Sequence, residues 1–194
     1  MARPREFDID QVLDAAIAAF WTQGYEATSM TDLMEVMDLK KGSIYKAFVD
    51  KHDLFMKALQ RYLDGMHQGM RQALEGAASP WEGIRAWLQM GVEMCEGQEI
   101  QRGCLALNSA VELGPHDEEV AKLLKRGHGR MIGLLISTIK RGQALGEFRT
   151  DLTAEQLARG LHVFGAGMLT TSKALHQDEL DSTELAEFVL GLLT

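Results

Sequence analysis

The chain has 194 residues, 46% of them hydrophobic and 25% charged, the balance of an ordinary globular protein, so disorder of the whole chain is excluded. Two cysteines cannot make a disulfide framework, and no leader or apolar run of the ~20 residues that a membrane helix needs is expected, so the protein is read as soluble and cytoplasmic. The net charge of −8 argues against a uniformly basic surface, but the charge is uneven. Residues 40–61 carry Lys40, Lys41, Lys46, Lys51, Lys57 and Arg61 against only Asp50 and Asp53, and Arg3 and Arg5 lie in the leading arm. Beyond residue 62, 18 acidic residues outnumber 12 basic ones. That polarity fits a small anion-binding module on an acidic body.

In chain order, apolar residues recur at helical spacing and no alternating strand pattern stands out. Ile9, Leu13, Ala16, Ile17 and Phe20 share one face of a helix that starts near Asp8 and stops at Gly24, read as a left-handed end. Thr28 or Ser29 caps a short helix over Met30–Met37. A tight connection at Asp38 and Leu39 leads to a third helix through Ile44, Tyr45 and Phe48, and Asp50 caps a long fourth one. Ser79 and Pro80 open a fifth, over Trp81–Glu96, and Leu105–Leu113 form another. A long helix ends around Gly142, and two last ones span Thr153–Ala174 and Asp181–Leu193. The fold class is all-α, with about nine helices. Two short helices after a longer one give a helix-turn-helix head over residues 1–52, followed by a larger helical body over residues 53–194.

Phe20, Gly24, Tyr25, Thr28, Ser29 and Met30, followed by Lys41-Gly42-Ser43-Ile44-Tyr45, Phe48, Lys51 and Leu54, stand at intervals that resemble the DNA-binding head of the tetracycline-repressor (TetR) family. The resemblance covers roughly residues 7–60 and implies a third helix in the major groove. Carried over residue by residue, it places Ser29, Thr31, Tyr45 and Lys51 on phosphates, which fix register rather than sequence. Lys41, Gly42, Ser43 and Lys46 fall on the groove-entering helix, Lys41 toward guanine, while Lys40 reaches phosphate. Two positions depart from the family. Asp38 stands where glycine is common, and aspartate tolerates the left-handed region. Met34 replaces a small residue, which implies a repacked helix crossing.

The segment Arg102-Gly103-Cys104-Leu105-Ala106-Leu107-Asn108-Ser109-Ala110-Val111-Glu112-Leu113 is similar to one in many members with a ligand-binding body. The resemblance implies a small-molecule cavity and a homodimer made by the last two helices. Trp87, Met90, Met94, Cys104, Met131, Phe164 and Met168 are the expected lining of a mainly apolar cavity, since thioethers fill irregular space. Leu161, Phe164, Leu185, Phe188 and Leu192 are the expected dimer residues. Gly160, Gly165 and Gly167 are read as permitting close helix approach or opening room for a ligand. Cys104, after Arg102 and Gly103 at a helix start, is a candidate electrophile or oxidant sensor, with Cys95 as a conceivable partner. His116, His128, His162 and His176 show no metal-ligand spacing, so no metal or other cofactor is expected. The expected partners are a palindromic double-stranded operator, a small effector and a second copy of the chain, without a membrane. The rivals are an enzyme using Cys104 as nucleophile and a helical interaction module that no longer binds DNA.

Overall fold

The computed structural model describes residues 7–96, 102–175 and 181–194; Arg3, Arg5 and His176 lie outside the described residues. Among those described there are nine helices and no strand: α1 (Ile9–Gln23), α2 (Met30–Val36), α3 (Lys41–Ala47), α4 (Lys51–Gly76), α5 (Pro80–Glu96), α6 (Leu105–Glu112), α7 (Glu118–Leu145), α8 (Ala154–Thr171) and α9 (Ser182–Gly191). Most begin at a residue whose side chain accepts a first-turn N–H that no helical carbonyl can reach. Asp8, Ser29, Asp50, Asp117, Thr153 and Asp181 do so for α1, α2, α4, α7, α8 and α9. Ser29, not Thr28, caps α2, exchanging bonds with Asp32. Thr28 is buried and its hydroxyl donates to the Gly24 carbonyl at 2.6 Å.

The helix ends differ from expectation in two places. α7 runs through Gly142 and closes at Gly146, which is left-handed at φ 74°. Gly142 is a packing residue, because the Phe148 ring lies against its Cα where a Cβ would stand. Gly24 has the expected positive φ, 85°, but its ψ of 170° is extended, so the chain leaves α1 directly instead of curling into a left-handed cap. Asp38 takes φ 48°, as its place in the turn requires.

Phe20 and Phe48 are 1% and 2% exposed and wedge the first three helices together, with Phe55 edge-on to Phe20 at 5.1 Å. That apolar core does not stop at the head. It continues through Tyr62 and Leu63 of α4 to Cys104, Leu105 and Leu113 around α6 and Val120 and Leu123 of α7. A second core joins Met70 and Leu74 of α4 to α5, α7, α8 and α9 through Ile84, Leu135, Leu157 and Leu190. The 26 residues of α4, a rod of about 39 Å, therefore belong to both cores. The expected division between residues 52 and 53 falls within its first turn.

Candidate DNA-binding face and effector cavity

α2 and α3 are two seven-residue helices joined by the Asp38 turn. Their inward anchors are Leu33 and Ile44, each almost wholly buried. The opposite side of α3 presents Lys40, Lys41, Gly42 and Lys46, all exposed, with Ser43 half-buried and Tyr45 47% exposed. The Lys41 ammonium lies 5.9 Å from the Tyr45 ring centre, a cation–π arrangement that keeps both on one face. Ser29 and Thr31 are exposed at the start of α2. Nothing lies within 4 Å of the position a Gly42 Cβ would occupy, so the backbone there is open to close approach.

Lys51 is placed differently from the other lysines. Its ammonium donates to the carbonyls of Tyr25 at 2.8 Å and Thr28 at 3.0 Å, and lies 4.2 Å from the Tyr25 ring centre. Two of its three N–H donors thus hold the loop between α1 and α2. The same loop is gripped from the body: the Glu112 carboxylate of α6 accepts from the N–H of Tyr25 at 3.0 Å and of Glu26 at 2.8 Å. His52 and Asp117 meet at 2.7 Å and Trp21 donates to the Gly103 carbonyl at 3.1 Å, so head and body are joined at both ends of α6. The N–H groups at the start of α7, then the His52 ring, hold the Asp117 carboxyl below its usual range.

A cavity of about 100 Å³ lies between α4, α5, α6, α7 and α8. Trp87, Met90, Met94, Cys104, Met131 and Met168 all line it. Phe164 does not: the α8 face turned to the cavity carries His162, Gly165, Ala166 and Leu169, spaced by three and four residues, and Phe164 sits on the flank of that stripe. Phe164 instead lines an outer groove with Leu161 and Leu192. At the wall, the Tyr62 hydroxyl donates to the Cys104 sulfur at 3.4 Å. Burial, then the neighbouring thiol, push the Tyr62 hydroxyl well above its usual pKa, so it stays a donor. Cys95 and Cys104 are both buried, unbridged thiols, and burial raises the Cys95 pKa.

One constellation escaped the sequence. His128 Nδ1 and His162 Nε2 are 3.1 Å apart, their rings near-perpendicular with centres 4.5 Å apart. Burial, then the neighbouring His128, push the His162 pKa down, so the ring that lines the cavity is neutral. The two residues are 34 positions apart on different helices, and only the packing of α8 on α7 brings them together.

On the outer face, Phe188 and Leu192 are 62% and 48% exposed, beside the half-buried Phe164 and Leu185. Leu161 is only 2% exposed; it packs in the second core and forms the floor of the outer groove rather than its rim. Val163, 69% exposed, belongs to the outward set that the sequence reading missed. Gly160 and Gly167 have no heavy atom within 4 Å of a built Cβ, so neither serves close helix approach within the chain, whereas Gly165 lies against the Trp87 ring at 3.7 Å.

A lysine-bearing second helix of a helix-turn-helix, mounted on a helical body with an internal cavity, defines a ligand-responsive class of DNA-binding regulator. Comparison with known proteins agrees. Residues 12–58 match the profile of bacterial regulatory proteins of the tetR family, and residues 80–188 match that of a tetracyclin repressor-like C-terminal domain. The chain is 35% identical over 165 residues to the transcriptional regulator YezE of Bacillus subtilis, covering 84% of each protein. It is 30% identical over 172 residues to the transcriptional repressor ComR of Escherichia coli, covering 88% of this chain and 82% of ComR. The structure of a cysteine mutant of the TetR-family regulator CifR, solved with 26 bp operator DNA, aligns over all of both chains with a TM-score of 0.83 and 32% identity. The chain belongs to the TetR family of DNA-binding transcriptional regulators, a class that is not enzymatic.

Proposed function

We propose that this protein is a cytoplasmic homodimeric repressor whose two heads occupy successive major grooves of a palindromic operator, and that a small, mainly apolar molecule entering the cavity releases it. The observation that carries this reading is the continuity between cavity and head. α6 has Cys104, Ala106 and Leu107 on the cavity wall and, at its other end, Glu112 holding the loop that leads into α2. A ligand that favours a different α6 position therefore favours a different head spacing, and it does so only by binding the two states unequally. Half-sites one turn apart need recognition helices ~34–36 Å apart, which makes the spacing a sensitive control. ComR is named a repressor and CifR was solved on operator DNA, which supports the direction of control. The exposed Phe188, Leu192 and Val163 supply an apolar face for a second copy.

The test is selection from random duplex DNA at two salt concentrations, followed by sequencing. An enriched palindrome whose affinity falls steeply with salt is expected. A folded dimer that enriches nothing overturns the reading in favour of an interaction module.

A second reading on the same fold is favoured by the Tyr62–Cys104 hydrogen bond. The Tyr62 hydroxyl fixes the Cys104 sulfur at the wall of a cavity that an electrophile can enter. Under this reading N-ethylmaleimide adds to Cys104 and releases the operator, and Cys104→Ser abolishes both effects. Release that persists in Cys104→Ser removes this cysteine from the response.

A further inference from the structure

Resting on the reading of the cavity as the effector site, we propose that it takes a small neutral aromatic molecule bearing one hydrogen-bonding group, the chemistry of a phenol, with that group bonded to His162. Size comes first. The cavity holds about 100 Å³, and apolar cavities of this order, about 150 Å³ in a well-studied case, accept a single benzene ring. The thioethers can give way at the margin, because Met90 and Met168 end in methyl groups that lie over glycines: a Cβ on Gly69 or Gly91 would come within 3.0 Å of them.

The wall then selects the ring. Methionine sulfurs from four helices and the Trp87 indole surround the space, and thioether and indole contacts favour an aromatic ring over an aliphatic chain. Among the described residues the lining contains no lysine, arginine or carboxylate, so a charged ligand would find no counter-charge there.

The polar group is addressed by the histidine pair. Among the described residues the hydrogen-bonding side chains on the wall are Cys104, whose sulfur already accepts from Tyr62, Trp87, whose indole N–H can only donate, and His162, which can donate or accept. Its Nε2 is engaged by His128, which fixes the ring and leaves Nδ1 in the complementary role, donor or acceptor according to tautomer. A hydroxyl both donates and accepts, so it satisfies either state.

Phenol and toluene have nearly the same shape, and they separate this inference from a merely apolar cavity. In an apolar cavity toluene binds more tightly, because the phenol hydroxyl is buried without a partner. Calorimetric titration of the full-length dimer is expected to show phenol binding roughly threefold or more tighter than toluene, with the order inverted in His162→Leu and restored in His162→Gln. Phenol, unlike toluene, is also expected to shift the His162 imidazole resonances in the unmodified protein, a reading that does not depend on a variant folding. Toluene preferred by the wild-type protein, a phenol preference surviving in His162→Leu, an unmoved His162 resonance, or no binding of either probe at ~5 mM overturns the inference. Operator retention separates the two layers. Phenol held by His162 with operator binding unchanged overturns the effector reading alone, whereas a toluene-preferring cavity that still releases the operator overturns this inference alone.

Discussion

The lysines of the head divide by what their ammonium groups touch. Lys41 is exposed and leans on Tyr45, whereas Lys51 spends two donors on the Tyr25 and Thr28 carbonyls. Lys51 is expected on phosphate from the family resemblance, whereas the contacts it makes within the chain hold the loop before α2. Lys51→Met is therefore expected to lower stability by about 1–2 kcal/mol, the worth of bonds from a charged donor that is partly solvated, and to weaken operator binding as a consequence. Lys41→Ala is expected to leave the thermal midpoint unchanged and weaken operator binding directly. Thermal unfolding beside a salt titration of affinity checks both. A Lys51→Met protein of unchanged midpoint whose salt slope falls by about one unit would make Lys51 a phosphate contact and nothing more.

At the scale of the element, helix starts were legible in the sequence because a cap is local chemistry: Asp8, Asp50, Thr153 and Asp181 act on N–H groups two or three residues away. The head motif was legible for a different reason, its residues standing at the intervals of a known family, since the contacts that fix them, such as Phe20 on Phe55 and Lys51 on Tyr25, are not local. What was not legible depended on how a side chain or a helix folds back on its neighbours. Gly142 looked like a stop but is a seat for Phe148, and Phe164 shares a helix with the cavity stripe yet sits on its flank. The His128–His162 pair left no trace in spacing at all. The α7 reading has a direct check. Gly142→Ala has a helical backbone to occupy and gains in propensity, so on local grounds it stabilises. The Phe148 ring in its way makes the opposite outcome the expected one, a loss of about 2–3 kcal/mol from overpacking, measured by denaturant unfolding. Gly142→Ala paired with Phe148→Leu is expected to recover part of that loss. An unchanged midpoint in the single variant would mean that the Phe148 ring has another place to go.

At the scale of the molecule, the second copy is expected against the α8–α9 face. Phe188→Asp buries a charge in that contact but leaves the protomer core untouched, because Phe188 is already 62% exposed. Sedimentation is expected to show monomer at micromolar concentration with helicity retained, and operator affinity reduced at least tenfold through loss of paired half-sites. A dimer persisting in Phe188→Asp would move the interface elsewhere. The outward set was only half legible in the sequence: periodicity identified amphipathic helices, but which of their apolar residues fill the core and which face out depends on how the helices stack, and Leu161 and Val163 fall on opposite sides of that line. The Glu112 grip on the Tyr25 and Glu26 amides, together with a core that runs unbroken from Phe20 to Leu123, bears on how such proteins can be recombined. This head is not a portable cassette. Grafted onto a foreign body lacking an acidic residue at the end of its sixth helix, it would arrive with two main-chain donors untethered and an apolar flank uncovered, so a working chimaera must carry α6 and the start of α7 through Leu123 along with the head, rather than cut at the tidy seam in front of α4.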